Sequence, residues 1–177
     1  MTESSSNKTR DSGIDIKIPP NSVEAEQSIL GGLMLDNSAW DKIADIIVKS
    51  DFYRKDHQII FDGISSLIES SEACDVVTLS EYLDNKGNLD SVGGLEYLAT
   101  LANETAGSAN VVSYAKILRE RSVLRSLIAA GNEISGSAFS TEGRSASELV
   151  DQAERLVFEI AEKGARGRVG FERIEKF

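Results

Sequence analysis

Cysteine is nearly absent. Cys74 stands alone among 177 residues, so no internal disulfide can form and the chain suits a reducing compartment. No apolar run approaches the roughly 20 residues needed to cross a bilayer, and the opening MTESSSNKTRDSG has no apolar stretch of the kind a secretory signal needs. These absences point to a soluble, cytoplasmic protein with no membrane partner. Aromatic residues are only 6% of the chain and none clusters with Arg119, Arg121 and Arg125, which weighs against a platform for stacking single-stranded bases. Positive charge is in deficit as well, with 19 Lys and Arg against 29 Asp and Glu. A net charge of -10 disfavours gripping phosphate backbones and points to protein partners.

Several catalytic and ligand-binding constellations are missing. There is no G-x-x-x-x-G-K-[ST] loop to cradle a nucleotide, and GARGRVG lacks both the lysine and a preceding strand, so it reads as linker. His57 is the sole histidine, no Cys and His pair has metal-ligand spacing, and a lone histidine on an apolar helix face belongs in or near the core. Asp84, Lys86, Asn88 and Asp90 imitate a calcium loop, but lysine occupies a ligand slot and the required glycine is Leu89. The many carboxylates form no distinguishable acid and base pair and read as a solvated face. Neither a catalytic residue, nor a metal ligand, nor a cofactor site is expected.

What the sequence does have is helical periodicity. Pro19-Pro20 closes a polar, Ser-rich opening expected to be disordered. Asn21, with Glu24 three residues on, predicts the cap of a helix carrying Ala25, Ile29, Leu30, Leu33 and Met34, in which Gly31-Gly32 marks a close helix crossing. Ser38 and Asp41 open a second helix with the stripe Trp40, Ile43, Ala44 and Ile47. A third runs from about Lys55 to Glu69. Thr78 and Glu81 read as a capping box for a fourth, stopped by Gly87, and Gly93-Gly94 leads into a fifth, Leu95 to Asn103. No alternating strand pattern appears.

The longest helical pattern runs from Val111 to Ala138, with Asn110 as its expected cap. A partner follows from Ala146 to Glu162, opened by Ser145 and Glu148, with Leu149, Ala153, Leu156 and Ile160 repeating as a coiled-coil-like seam. This partner matches only the C-terminal half of the long helix. The N-terminal half therefore belongs to a head and the rest to a hairpin standing off it. Arg119, Arg121 and Arg125 read either as a solvated face with Glu120 interleaved or as a basic strip. The apolar surface at Leu124, Leu127, Ile128, Ile134, Phe139, Leu149, Leu156, Val157 and Phe158 exceeds what two helices can bury against each other, and the surplus implies packing on another copy or another protein. Charge is divided too: Val23 to Asn110 carries 16 acidic and 5 basic side chains, Val111 to Lys163 has 8 and 7, so the head is the acidic part.

EAEQSILGGLMLDN at 24–37, DVVTLSEYL at 75–83, LDSVGGLEYL at 89–98 and YAKILRERSVLR at 114–125 closely resemble the N-terminal domain of bacterial DnaB-type replicative helicases. The order and spacing agree from Ile18 to about Lys163. The family's proline in the loop before the long helix is absent here, where Thr105-Ala106-Gly107-Ser108-Ala109-Asn110 stands.

The resemblance implies an all-α fold, a compact helical head followed by a projecting antiparallel helical hairpin. On this reading residues 1–18 are a disordered tail, 19–110 the head, 111–162 the long helix and hairpin, and 163–177 a flexible linker with the truncated start of a linker helix. The implied function is a non-catalytic collar domain, in which hairpins pair subunits of a hexamer and the collar docks the C-terminal domain of DnaG primase. A helicase loader is a further candidate partner. ATP and Mg belong, in the family, to a RecA-like motor domain beyond the linker, which this sequence does not contain, so the chain by itself is expected not to be an enzyme. Partner or oligomer contacts are assigned to Glu24, Tyr97, Ile128 and Ile134, with intra-hairpin packing the alternative for the two isoleucines. Leu149, Leu156 and Ile160 are assigned to hairpin packing. The rival reading is a single-stranded nucleic-acid-binding helical module using the arginine strip and the basic linker.

Overall fold

The computed structural model describes residues 17–166, and all regular structure among them is helical. Helix α1 spans Val23–Leu35, α2 Trp40–Ile43, α3 Lys55–Glu69, α4 Val76–Asn85, α5 Gly94–Glu104, α6 Val111–Phe139 and α7 Ala146–Ala165. Short 3-10 turns at Asn37–Ala39, Lys49–Asp51 and Asp90–Val92 punctuate the connections. The fold is therefore all-α, as the periodicity and the family resemblance both require.

Helix α1 is the centre of the head and packs against α3, α5 and α6. Ile29, Leu30 and Leu33 are fully buried together with Ile60, Ile64, Leu79, Leu83, Leu98 and Leu118 from four other helices. Phe61 lies between Trp40 and Phe52, with ring centroids 5.5 and 4.7 Å away. Gly31 lets α1 meet α5 closely. A β-carbon there would collide with the Leu101 carbonyl oxygen and stand 2.9 Å from Thr105 Cβ, the close crossing expected of Gly31-Gly32.

Helix starts differ from the sequence reading in their detail. Ser22, not Asn21, caps α1 by accepting a hydrogen bond from the Ala25 N–H, while the Asn21 amide donates to the Pro19 carbonyl. The second helix is a 3-10 turn capped by Asp36 and then a single turn, ending at Ile43. Helix α4 begins before Thr78, because Asp75 caps it: the Asp75 carboxylate accepts from Val77 and Thr78 N–H, and Thr78 Oγ1 accepts from the Asp75 N–H. Asn110 makes no side-chain cap, whereas the Ser145 and Glu148 box closes as expected. Gly87 stops α4 in the left-handed region at φ +74°.

Helix α6 has 29 residues, about 43 Å at 1.5 Å each, and it changes environment along its length. Val111, Ala115, Leu118, Arg119 and Ser122 are buried against the head; beyond them only Ala130 is. From there α6 faces α7, antiparallel to it, with Lys163 opposite Ser122 and Gln152 opposite Glu133. Helix α7 continues to Ala165, so Lys163 and Gly164, expected in the linker, complete its last turn. The expectations for the N-terminal tail up to residue 16 and for Phe171, Ile174 and Phe177 lie outside the described residues.

Candidate functional site

The hairpin buries one seam and leaves a second apolar surface open. Leu149, Leu156 and Ile160 are half-buried, and no α7 side chain is fully buried. The two sides of the seam differ in chemistry. Ile134 and Ala138 of α6 with Ala146, Val150 and Ala153 of α7 line an apolar cleft, and Val157, Phe158 and Ala161 extend that surface along α7. Glu133, Arg144, Glu148, Gln152, Arg155 and Glu159 occupy the opposite side, where Gln152 donates to Glu133 and Arg144 donates to Gln152.

Ile128 is 50% exposed and does not line the cleft; Val157 and Phe158 are 51% and 62% exposed. Fully burying one such side chain is worth about 1.5–3 kcal/mol, so together these three forgo several kcal/mol while they stand in water. Ile134, at 36%, forms the rim of the cleft. Packing within the chain thus leaves about a third of Ile134 and half of Ile128 exposed.

A buried polar chain crosses the head. Glu26 and His57 are both fully buried, with Glu26 Oε2 2.7 Å from His57 Nδ1 and His57 Nε2 2.7 Å from the Tyr97 hydroxyl. The other Glu26 oxygen accepts from the Tyr53 backbone N–H, and Gln27 Nε2 donates to the Tyr97 hydroxyl at 3.4 Å. The histidine is a core residue, as the sequence implies, and the structure adds its two partners. Tyr97 is half-buried at the outer end of this chain, with the Arg54 guanidinium 5.7 Å from its ring centroid. Arg54 in turn donates to Asp56, and that bond holds the Arg54 guanidinium above the usual arginine range. Glu24 is exposed in the first turn of α1 and is not part of the chain.

A second polar cluster joins head to hairpin. Asp51 is fully buried; its Oδ1 accepts from Arg119 Nη1 at 2.8 Å and lies 3.8 Å from Lys163 Nζ, while Oδ2 accepts from the Val48 N–H. Arg125 donates to the backbone carbonyls of Pro20 and Asp51, both at 2.7 Å. Burial lowers the pKa of both arginines and of Lys163. Neither reading of the arginine strip therefore holds in full. Arg119 and Arg125 bind the protein's own oxygens instead of facing solvent or an external polyanion.

Sequence reasoning missed Glu26, Asp51 and the internal role of Arg119. A signal existed for two of them: Glu26 precedes Ile29 and Leu30, and Arg119 follows Ala115, by helical steps, so each interrupts an apolar stripe. A charged residue on a core face demands a buried partner. Cys74 is buried, and burial pushes its thiol up to about 12, which leaves it inert as a nucleophile. Among the described residues no cluster of His, Cys, Asp and Glu could hold a metal, and no helix is long and apolar enough to cross a membrane.

The chain is thus a helical head carrying a helical hairpin with one open apolar side. Comparison with known proteins defines its class: the family model of the DnaB-like helicase N-terminal domain matches residues 18–120. This chain belongs to that family. It is 44% identical over 148 residues to the replicative DNA helicase DnaB of Haemophilus influenzae, which covers 84% of this chain and 32% of that protein. The replicative DNA helicase DnaC of Bacillus subtilis is 35% identical over 147 residues, 83% of this chain and 32% of that protein. The chain thus spans about a third of the length of these relatives. The crystal structure of the DnaB N-terminal domain from Mycobacterium tuberculosis superposes with a TM-score of 0.78 at 36% identity, covering 80% of this chain and 99% of that one. A DnaB-like replicative helicase described with its interactions with primase shares the fold, with a TM-score of 0.67 at 18% identity over 82% of this chain and 32% of that one.

Proposed function

We propose that this chain is the collar and docking domain of a bacterial replicative helicase, working in the cytoplasm. Two copies pair through the apolar sides of their hairpins, pairs assemble into the upper tier of a hexamer, and that tier receives the C-terminal domain of a DnaG-type primase or a helicase loader. The observation that carries this reading is the open apolar face of the hairpin, since a module needing no partner would not leave Ile128, Val157 and Phe158 half exposed on one projecting element. Membership in the helicase family supports the assembly, and the likeness to a helicase described with primase supports the docking. Glu24, Tyr97, Ile128 and Ile134 are the proposed contacts. The division into a head at 19–110 and a hairpin from 111 to the end of α7 at Ala165, with a linker beyond it, belongs to the same proposal, as does ATP hydrolysis with Mg in a motor domain outside this sequence.

The mechanism is geometric. A ring of low-affinity docking sites holds a partner through effective concentration, so individually weak contacts suffice. The test is Ile128→Glu combined with Ile134→Glu, followed by sedimentation equilibrium and circular dichroism. Losing the burial of both isoleucines and burying charge in their place should raise the pairing dissociation constant at least about 100-fold, with helicity unchanged. Unaltered pairing, or a melted head, would refute the assignment of this face. Calorimetric titration with the primase C-terminal domain of the same organism checks docking, for which a stoichiometry below one per chain is expected of a site shared between paired copies.

A further inference from the structure

The chain from Glu26 through His57 to Tyr97 does work that a contact role for Tyr97 leaves unexplained. Two of its three members are fully buried, they come from α1, α3 and α5, and both ends are tied down: Glu26 holds the Tyr53 backbone, and Gln27 reaches the Tyr97 hydroxyl. The hydrogens follow from the donor inventory. The Glu26 carboxylate accepts at both oxygens, so His57 carries a hydrogen on Nδ1, and its Nε2 bonds the Tyr97 hydroxyl at 2.7 Å. The rings of His57 and Tyr97 lie in parallel planes, 2° apart, with centroids 6.0 Å apart. Tyr97 therefore directs its hydroxyl inward, and what remains for a partner is its ring beside the Arg54 guanidinium.

We infer that Glu26 and His57 are positioning residues of the docking surface: they fix the ring of Tyr97 beside Arg54, and a partner engages that preset ring and cation instead of a free tyrosine hydroxyl. The inference rests on the docking proposed above. Without the inward bond the half-buried ring gains rotamer freedom, and a partner must then supply the ordering that the protein now supplies itself. The partner surface implied is one that packs on an aromatic face and tolerates a neighbouring guanidinium, that is, an apolar or acidic helix surface and not a hydroxyl acceptor.

The experiment is a double-mutant cycle on Tyr97→Phe and His57→Gln, read by calorimetric titration with the primase C-terminal domain, with thermal unfolding confirming that each variant is folded. Each single substitution is expected to weaken binding about tenfold, and the double variant no more than the weaker single, because both break the same bond. Should His57→Gln fail to fold, Glu26→Gln takes its place, since it keeps the shape and removes only the carboxylate. Weakening by Tyr97→Phe with unchanged binding in the His57 and Glu26 variants would overturn the inference, as would additive losses, because a hydroxyl donated to the partner gives those patterns. If the unmodified protein does not bind the primase domain, the docking reading fails and the positioning claim falls to ring-carbon NMR of Tyr97, whose signals disappear in Tyr97→Phe. Shifted and averaged signals in His57→Gln uphold it; unchanged signals overturn it.

Discussion

Replacing Asp51 with Asn removes one charge and almost no volume from a site where the protein has gathered cations. Arg119 Nη1 lies 2.8 Å from Asp51 Oδ1, Lys163 Nζ lies 3.8 Å away, and Asp51 itself has no exposed surface. Arg119 is only 6% exposed, and its Nε and Nη2 already lack hydrogen-bond partners among the described residues, so Asp51 provides its one close counter-charge. Breaking a buried pair by removing one member costs about 3–5 kcal/mol, because the other is left as an uncompensated charge. Lys163 is a quarter exposed and adds little through water. The lower end, about 3 kcal/mol, is therefore expected, a fall in Tm of about 6–12 °C for a chain of this size. Calorimetric or circular-dichroism melts of Asp51→Asn measure it. Hydrogen exchange should show the last turn of α7 opening first, since Lys163 ties that turn to Asp51 and to Ser122. The control is Asp51→Leu with Arg119→Met, which replaces the pair by apolar groups and should return most of the lost stability. A shift below about 2 °C for the single variant, or a double variant no more stable than the single one, would refute the reasoning that the Coulombic pairing matters here.

Two further substitutions test the packing and the caps. Gly31→Ala inserts a methyl group between α1 and the backbone of α5, where Leu101 cannot retreat without moving its helix, so a loss of about 3 kcal/mol in urea unfolding is expected, and a neutral result would mean that the crossing is looser than described. Asp75→Ala removes the cap of α4 and should cost about 1 kcal/mol at neutral pH. The Thr78 backbone N–H, foremost, holds the Asp75 carboxyl below its ordinary value of 3.8, and a carboxylate lowered in the folded state contributes stability that is complete above 3.8 and lost as pH falls through the folded value. Variant and parent should then converge in unfolding experiments as the pH falls well below 3.8, and a difference independent of pH would show that the cap acts other than through its charge.

How far the sequence could be read depended on how far apart the interacting residues are. Helix existence is a local matter, and α3 runs from Lys55 to Glu69 as its spacing of Ile60, Phe61, Ile64 and Leu67 requires. Helix starts were less legible, because several polar residues compete to cap the same turn: Asp75 outbids Thr78 by binding two N–H groups at once, and Ser22 displaces Asn21, whose amide finds the Pro19 carbonyl. The surplus apolar surface of the hairpin was legible too, since α6 and α7 can share only one seam and the remaining residues must face outward. What periodicity could not supply was the identity of partners across the chain. Arg119 looked like one of three arginines on a solvated helix, and nothing near it in sequence signals Asp51, 68 residues away. Glu26 meets His57 across 31 residues, and His57 meets Tyr97 across 40.

Each of these was nonetheless marked by a polar residue on an apolar stripe, and stripes can be matched against one another. An acid on the core face of α1 and a lone histidine on the core face of α3 constrain each other, because neither could be buried alone without a cost of several kcal/mol. Once the helices are required to bury those faces in one core, Glu26 has two candidate partners on facing stripes, His57 of α3 and Arg119 of α6, and only the fold separates them. The same step fails for Arg119, whose partner lies on a 3-10 turn with no stripe at all, and a buried turn residue leaves no periodic trace in the sequence.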